Sequence, residues 1–176
     1  MYRSICEDSQ TRLQLVKPDV SKKFYQLVSD QGVYASIDLI YGSGSLTRIE
    51  THQGSYTIKR QGFFMPFITI RKENTEADIA TAFLDLYGKT ILSVGGLNCR
   101  FKGLNLWKNQ WAWLNEKNKP IVKYLLTNSG NIRGDVEFSK DFFFLSQIEI
   151  LAALGAYLLL QLEDELSNFI NINNEL

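Results

Sequence analysis

Apolar and polar residues alternate in short runs through most of the chain. Ile68 and Ile70 share a face against Thr69 and Arg71, Trp111 and Trp113 flank Ala112, and Val136 and Phe138 flank Glu137. A period of two is that of a half-buried strand, whose successive side chains point to opposite faces. Clusters of Gly, Asn, Asp and Ser interrupt the runs, as in Ser29-Asp30-Gln31-Gly32, His52-Gln53-Gly54, Gly95-Gly96 and Asn128-Ser129-Gly130-Asn131. These are turn residues, and their spacing of about ten residues is that of an all-β chain. The pattern predicts strands over 24–28, 33–41, 46–51, 55–60, 64–71, 79–86, 90–94, 98–106, 110–115, 120–127 and 132–138. About eleven strands exceed what a twisted open sheet carries, so closure into a barrel or division into two sheets is expected.

One segment carries two signals. Thr75-Glu76-Ala77-Asp78 resembles a capping box, and Ile79, Ala82, Phe83 and Leu86 recur at helical spacing. A strand is preferred over 75–86 because Gly88 then makes a short turn into 90–94. Residues 1–20 are either an extension or a first strand, and 21–170 form a single domain with 171–176 as a tail.

After residue 140 the pattern changes. Ser146-Gln147-Ile148-Glu149 has the form of a capping box, in which Ser146 accepts from the Glu149 N–H and the carboxylate reaches back. It predicts a helix over about 147–166. The run Ile150 to Leu160 has no polar face, and a helix apolar all round must be enclosed by protein or by lipid. A membrane span over 142–162 is the alternative. The apolar run is about half of the roughly 20 residues a bilayer core needs. Gln147, Glu149 and Gln161 fall within or beside the span, and Glu163-Asp164-Glu165 supplies no basic anchor. The interior of a closed barrel suits the helix better, since ten or more strands leave a space that wall side chains alone do not fill.

The order of many short strands, then Trp111-Ala112-Trp113, Gly134-Asp135-Val136 and a closing Leu154-Gly155-Ala156-Tyr157-Leu158-Leu159-Leu160, resembles the tubby C-terminal-like superfamily, its small bacterial members above all. The likeness covers roughly 46–162. It implies a mainly β fold, a closed antiparallel barrel of about twelve strands around a central hydrophobic C-terminal helix. The superfamily includes phosphoinositide-binding tubby proteins, LURP-one-related proteins and phospholipid scramblases, whose similar helix has also been read as membrane-spanning. No shared active site comes with it, so the resemblance implies binding rather than catalysis. A membrane-anchored, scramblase-like protein is the alternative.

Charge sharpens this picture. Among 176 residues, 19 Lys and Arg balance 19 Asp and Glu. All 19 bases lie between Arg3 and Lys140 beside 13 acids, whereas Asp141 to Leu176 holds six acids and no base. With 45% hydrophobic residues the chain is neither disordered nor a strongly basic nucleic-acid tail. Cys6 and Cys99 lack a disulfide-scaffold spacing and are expected as free thiols. No apolar leader opens the chain, so a cytoplasmic protein, at most peripheral to a membrane, is expected.

Catalytic patterns are sparse. His52 is the one histidine, Gly42-Ser43-Gly44-Ser45 is not followed by a helix, and Asp135 with Glu137 fits a solvent-facing strand. No catalytic, cofactor-binding or metal-binding residue is assigned, and a small hydrolase using Cys99 or His52 is a remote alternative. The positive signal is basic. Lys59-Arg60 ends one strand and Arg71-Lys72 its hairpin partner, with Phe63, Phe64 and Phe67 between them. Such a rim suits an anionic phospholipid or a protein partner; charge guarding strand ends over core aromatics is the plainer account. Arg100, Lys102 and Lys108 with Trp107 suggest base stacking, but without a larger basic excess no nucleic acid is expected. Trp111, Trp113, Leu154, Tyr157 and Leu158 are the core candidates.

Overall fold

Twelve antiparallel strands, each paired with two neighbours, close into a ring around one helix. The computed structural model describes all residues except 40–45, 63–66, 76, 85–89 and 175–176, and the backbone alone at 84, 106, 128 and 165–174. The strands are β1 (Arg12–Val16), β2 (Phe24–Ser29), β3 (Gly32–Asp38), β4 (Leu46–Thr51), β5 (Gly54–Gln61), β6 (Phe67–Lys72), β7 (Asp78–Leu84), β8 (Thr90–Val94), β9 (Leu97–Asn105), β10 (Gln110–Asn115), β11 (Pro120–Ser129) and β12 (Ile132–Phe138). A 27-residue helix, α1 (Ile148–Asn174), follows. Each strand pairs with its neighbours in the chain, and β1 closes the ring by pairing with β12 as well as β2. Closure leaves no open edge to recruit another chain.

Inward positions on the wall, among them Leu13, Leu27, Ile37, Ile49, Ile58, Ile68, Ile70 and Leu92, are buried against α1. From Ile148 to Leu160 the helix is buried everywhere except at Leu158, which is partly exposed. A helix without a polar face is stable here because the wall surrounds it. Among the described residues no helix is long and apolar enough to cross a membrane.

Polar side chains of the wall fix the helix axially. Trp113 Nε1 donates to the Leu151 carbonyl at 2.9 Å, and the Tyr124 hydroxyl donates to Leu151 and Ala152 carbonyls at 3.0 Å each. Burial pushes the Tyr124 phenol well up, which keeps it a donor. Phe101 stacks on Trp111 at 5.7 Å and lies 4.9 Å from Trp113. The motif glycines stand at the closest approaches. A Cβ on Gly155 would strike Tyr124 and come 2.7 Å from Trp113 Nε1, and one on Gly134 would come 2.6 Å from the Leu125 carbonyl oxygen.

The structure decides the two open readings and corrects others. Residues 12–16 are a strand and close the ring; the RLQLV segment is only five residues long and pairs with the distant β12. The 79–86 segment is strand over Asp78–Leu84, because β6 and β8 flank it, pairing Ile68 with Ala82 and Phe83 with Ile91. Predicted residues 40–41, 64–66 and 85–86, with Phe63, Gly42-Ser43-Gly44-Ser45 and Gly88, lie outside the described residues. Helix α1 runs to Asn174 instead of ending near 166, so the expected tail is largely helical. Trp113, Leu154 and Tyr157 are fully buried, whereas Trp111 and Leu158 are only partly buried and pack at the margin of the core.

Candidate functional site

At the upper end of the barrel, where α1 begins, residues 1–10 lie across the mouth. The Tyr2 hydroxyl donates to Glu50 Oε2 at 2.6 Å, Arg3 holds Asp8 at 2.7 Å, and Cys6 Sγ donates to the Phe143 carbonyl at 3.0 Å. The predicted capping box has a different partner: Glu149 Oε1 accepts from the Ile5 backbone N–H at 3.2 Å. The docked segment buries this carboxyl, and Oε2 has no hydrogen-bond partner among the described residues.

Burial pushes the Glu149 carboxyl up, against the Ile5 N–H, the Ser4 hydroxyl, His52 and the Thr51 hydroxyl, which pull it down. A carboxyl raised in the fold holds a proton that the unfolded chain has already released, so this group's stabilising contribution is present at acid pH and lost as pH rises through the raised value. Chemical denaturation as a function of pH should therefore show a fall toward neutral pH in the wild type that Glu149→Gln lacks. Identical profiles would contradict this.

Register brings together only two of the four bases of the predicted rim. Antiparallel pairing sets Lys59 opposite Thr69 and Arg71 opposite Thr57. Lys59 and Arg71 are therefore diagonal neighbours on the outer wall, the latter held by Asp78 at 2.9 Å. Arg60 and Lys72 occupy inward-phase positions, opposite Ile68 and Tyr56, at opposite ends of the barrel. The hairpin reading placed all four at one end, whereas the end of β5 meets the start of β6.

A different part of the wall combines charge and apolar surface. Register aligns Phe67, Phe83, Ile91 and Arg100 across β6 to β9. Phe83 is 61% exposed and Ile91 52%. Beyond them Leu104 is exposed, and Trp107, on the 3₁₀ turn Leu106–Lys108, is fully exposed. Arg100 and Lys102 are exposed on β9, with Lys108 beside Trp107. No ion pair occupies Arg100, Lys102 or Lys108 among the described residues; Arg12, Arg48 and Arg71, by contrast, each have a carboxylate partner. Trp107, Arg100, Lys102 and Lys108 were visible in the sequence as a group. Phe83, Ile91 and Leu104 were not, since alternation does not tell which of two faces is outward.

Between β8 and the β10–β11 turn the wall holds an open groove of about 500 Å³, lined by Ile91, Asn98, Cys99, Arg100, Asn115 and Glu116. Asn98 Nδ2 donates to Glu116 Oε1 at 3.2 Å, and Arg100 Nη2 donates to Asn118 Oδ1 at 2.7 Å. The turn is itself tied down, with Asn115 Oδ1 accepting from the Lys119 N–H at 2.8 Å.

The groups considered for catalysis are dispersed. Cys99 is buried and its thiol is pushed up to about 12 by burial, which leaves little thiolate at neutral pH. His52 is exposed in the β4–β5 turn. Asp135 accepts from Arg12 at 2.9 Å on the outer wall, beside exposed Glu137. No group of three or more His, Cys, Asp or Glu residues converges among the described residues. Comparison with known proteins finds no matching family model, no matching curated protein and no matching solved structure.

Proposed function

We propose that this chain is a non-enzymatic binding protein of tubby-like type, and that its ligand is the surface of an anionic phospholipid bilayer, met by the β7–β10 wall. The carrying observation is the coincidence on that wall of exposed Phe83, Ile91, Leu104 and Trp107 with the uncompensated Arg100, Lys102 and Lys108. Exposed apolar groups next to cations match the two layers of a bilayer interface. Aromatic and aliphatic groups enter the headgroup boundary, while each base near an anionic leaflet contributes about 1 kcal/mol. The closed twelve-strand barrel with an enclosed helix supports the family resemblance. Because α1 is occupied as the core, membrane contact falls to the wall.

Vesicle flotation tests the proposal. Phosphatidylcholine vesicles containing phosphatidylglycerol should carry the protein up the gradient, pure phosphatidylcholine should do so far less, and high salt should release it. Lys102→Gln and Lys108→Gln should each weaken recovery by roughly five-fold, from about 1 kcal/mol apiece, and Trp107→Ala should weaken it without changing the salt dependence. Equal recovery on neutral and anionic vesicles, or failure to float with either, would sink the bilayer reading and leave a protein partner as the occupant of the wall.

A further inference from the structure

We infer that the groove beside Ile91 is a seat for an amine-bearing anionic phosphodiester headgroup, of the phosphoserine class. The inference rests on the bilayer reading above and names the lipid that the same wall selects. It comes from the arrangement of opposite charges. Arg100 and Glu116 both line the groove, yet neither forms an ion pair, with each other or with any other described residue. A carboxamide takes each instead, Asn118 for Arg100 and Asn98 for Glu116. Each charge is held by a neutral amide, so neither is neutralised by an ion pair among the described residues.

Both charges are reached from one strand face. Asn98 and Arg100 are two residues apart on the outer face of β9, so the backbone positions from which Glu116 is held and Arg100 extends lie about 7 Å apart along the strand. The Arg100 guanidinium offers its remaining N–H groups to a phosphate, and Glu116 offers an acceptor to an ammonium. The apolar row fixes the ligand's direction. Ile91 lines the groove and pairs with Phe83, so a lipid with its phosphate at Arg100 has an exposed apolar track leading away from the headgroup. A free amino acid or a sugar phosphate would leave that track uncovered. An anionic lipid without an amine, such as phosphatidylglycerol, would leave Glu116 repelling the bilayer.

Vesicles of equal surface charge separate this inference from general anionic binding. The wild type should bind phosphatidylserine–phosphatidylcholine vesicles several-fold more tightly than phosphatidylglycerol–phosphatidylcholine vesicles of the same anionic fraction. Glu116→Gln should abolish that preference while binding to phosphatidylglycerol stays equal or improves, and Arg100→Gln should weaken both. Equal wild-type binding to the two compositions, or a preference that survives Glu116→Gln, overturns the headgroup seat but leaves the bilayer reading intact. If neither vesicle is bound, titration with soluble glycerophosphoserine, followed by the amide shifts of Asn98 and Glu116, decides. Saturable shifts lost in both variants would retain the groove as a headgroup site without a membrane; no shifts would remove the site as well. Glu116 and Arg100 are exposed, so neither substitution threatens the fold.

Discussion

Leu154→Asp should yield no folded barrel. Leu154 is fully buried on α1, with the inward faces of the wall around it. A carboxyl there is enclosed in the hydrophobic core. Kept neutral, it still costs several kcal/mol as an unpaired buried polar group, to which the lost leucine packing adds. Against a total stability of about 5–15 kcal/mol, that loss is enough to unfold the chain. Leu158→Asp is the internal comparison. Leu158 is the one residue of the apolar run with partial exposure, and aspartate there should lower the denaturation midpoint while preserving the fold. Soluble expression and urea unfolding of both variants measure the contrast. Equal tolerance at the two positions would mean that α1 is not enclosed.

Gly155→Ala should also destabilise strongly, which is the reverse of what helix propensity predicts. In an exposed helix interior the change gains about 1 kcal/mol. Here the new methyl would collide with the Tyr124 phenol and approach Trp113 Nε1 to 2.7 Å. Neither ring is free to retreat, because Trp113 donates to the Leu151 carbonyl and Tyr124 to the Leu151 and Ala152 carbonyls one turn earlier. Overpacking together with one or two broken hydrogen bonds suggests a loss of about 2–4 kcal/mol. Tyr124→Phe removes the hydroxyl nearest the new methyl, so Gly155→Ala should cost less in that background than in the wild type. A double-mutant cycle in guanidinium measures the coupling. A stabilised Gly155→Ala, or strict additivity with Tyr124→Phe, would refute the close-approach account.

These two residues mark different kinds of legibility. Leu154 was readable as core because the apolar run around it has no polar side, a property of consecutive residues. Gly155 was readable only as part of a motif. The reason for a glycine there is a contact with two rings from the wall, Trp113 on β10 and Tyr124 on β11, both remote from α1 in the sequence. Glu149 was misassigned for the same kind of reason. Its distance from Ser146 matched a local cap, but the N-terminal segment brings the Ile5 N–H to the carboxylate from the far end of the sequence.

Local pattern alone determined most of the elements of this protein. The strands over 46–51, 90–94, 110–115 and 132–138 coincide with β4, β8, β10 and β12, and the excess of strands together with an unrelieved apolar helix already called for a closed wall around it. Alternation, turn chemistry and helical periodicity act over a few residues, so they are written in consecutive positions. Tertiary structure decided the closure through β1, the separation of Arg60 and Lys72 from each other and from the outward pair Lys59 and Arg71, and the gathering of Phe83, Ile91 and Arg100 on one stretch of wall. All three depend on strand register, and register is set by pairing between segments whose separation no local pattern records.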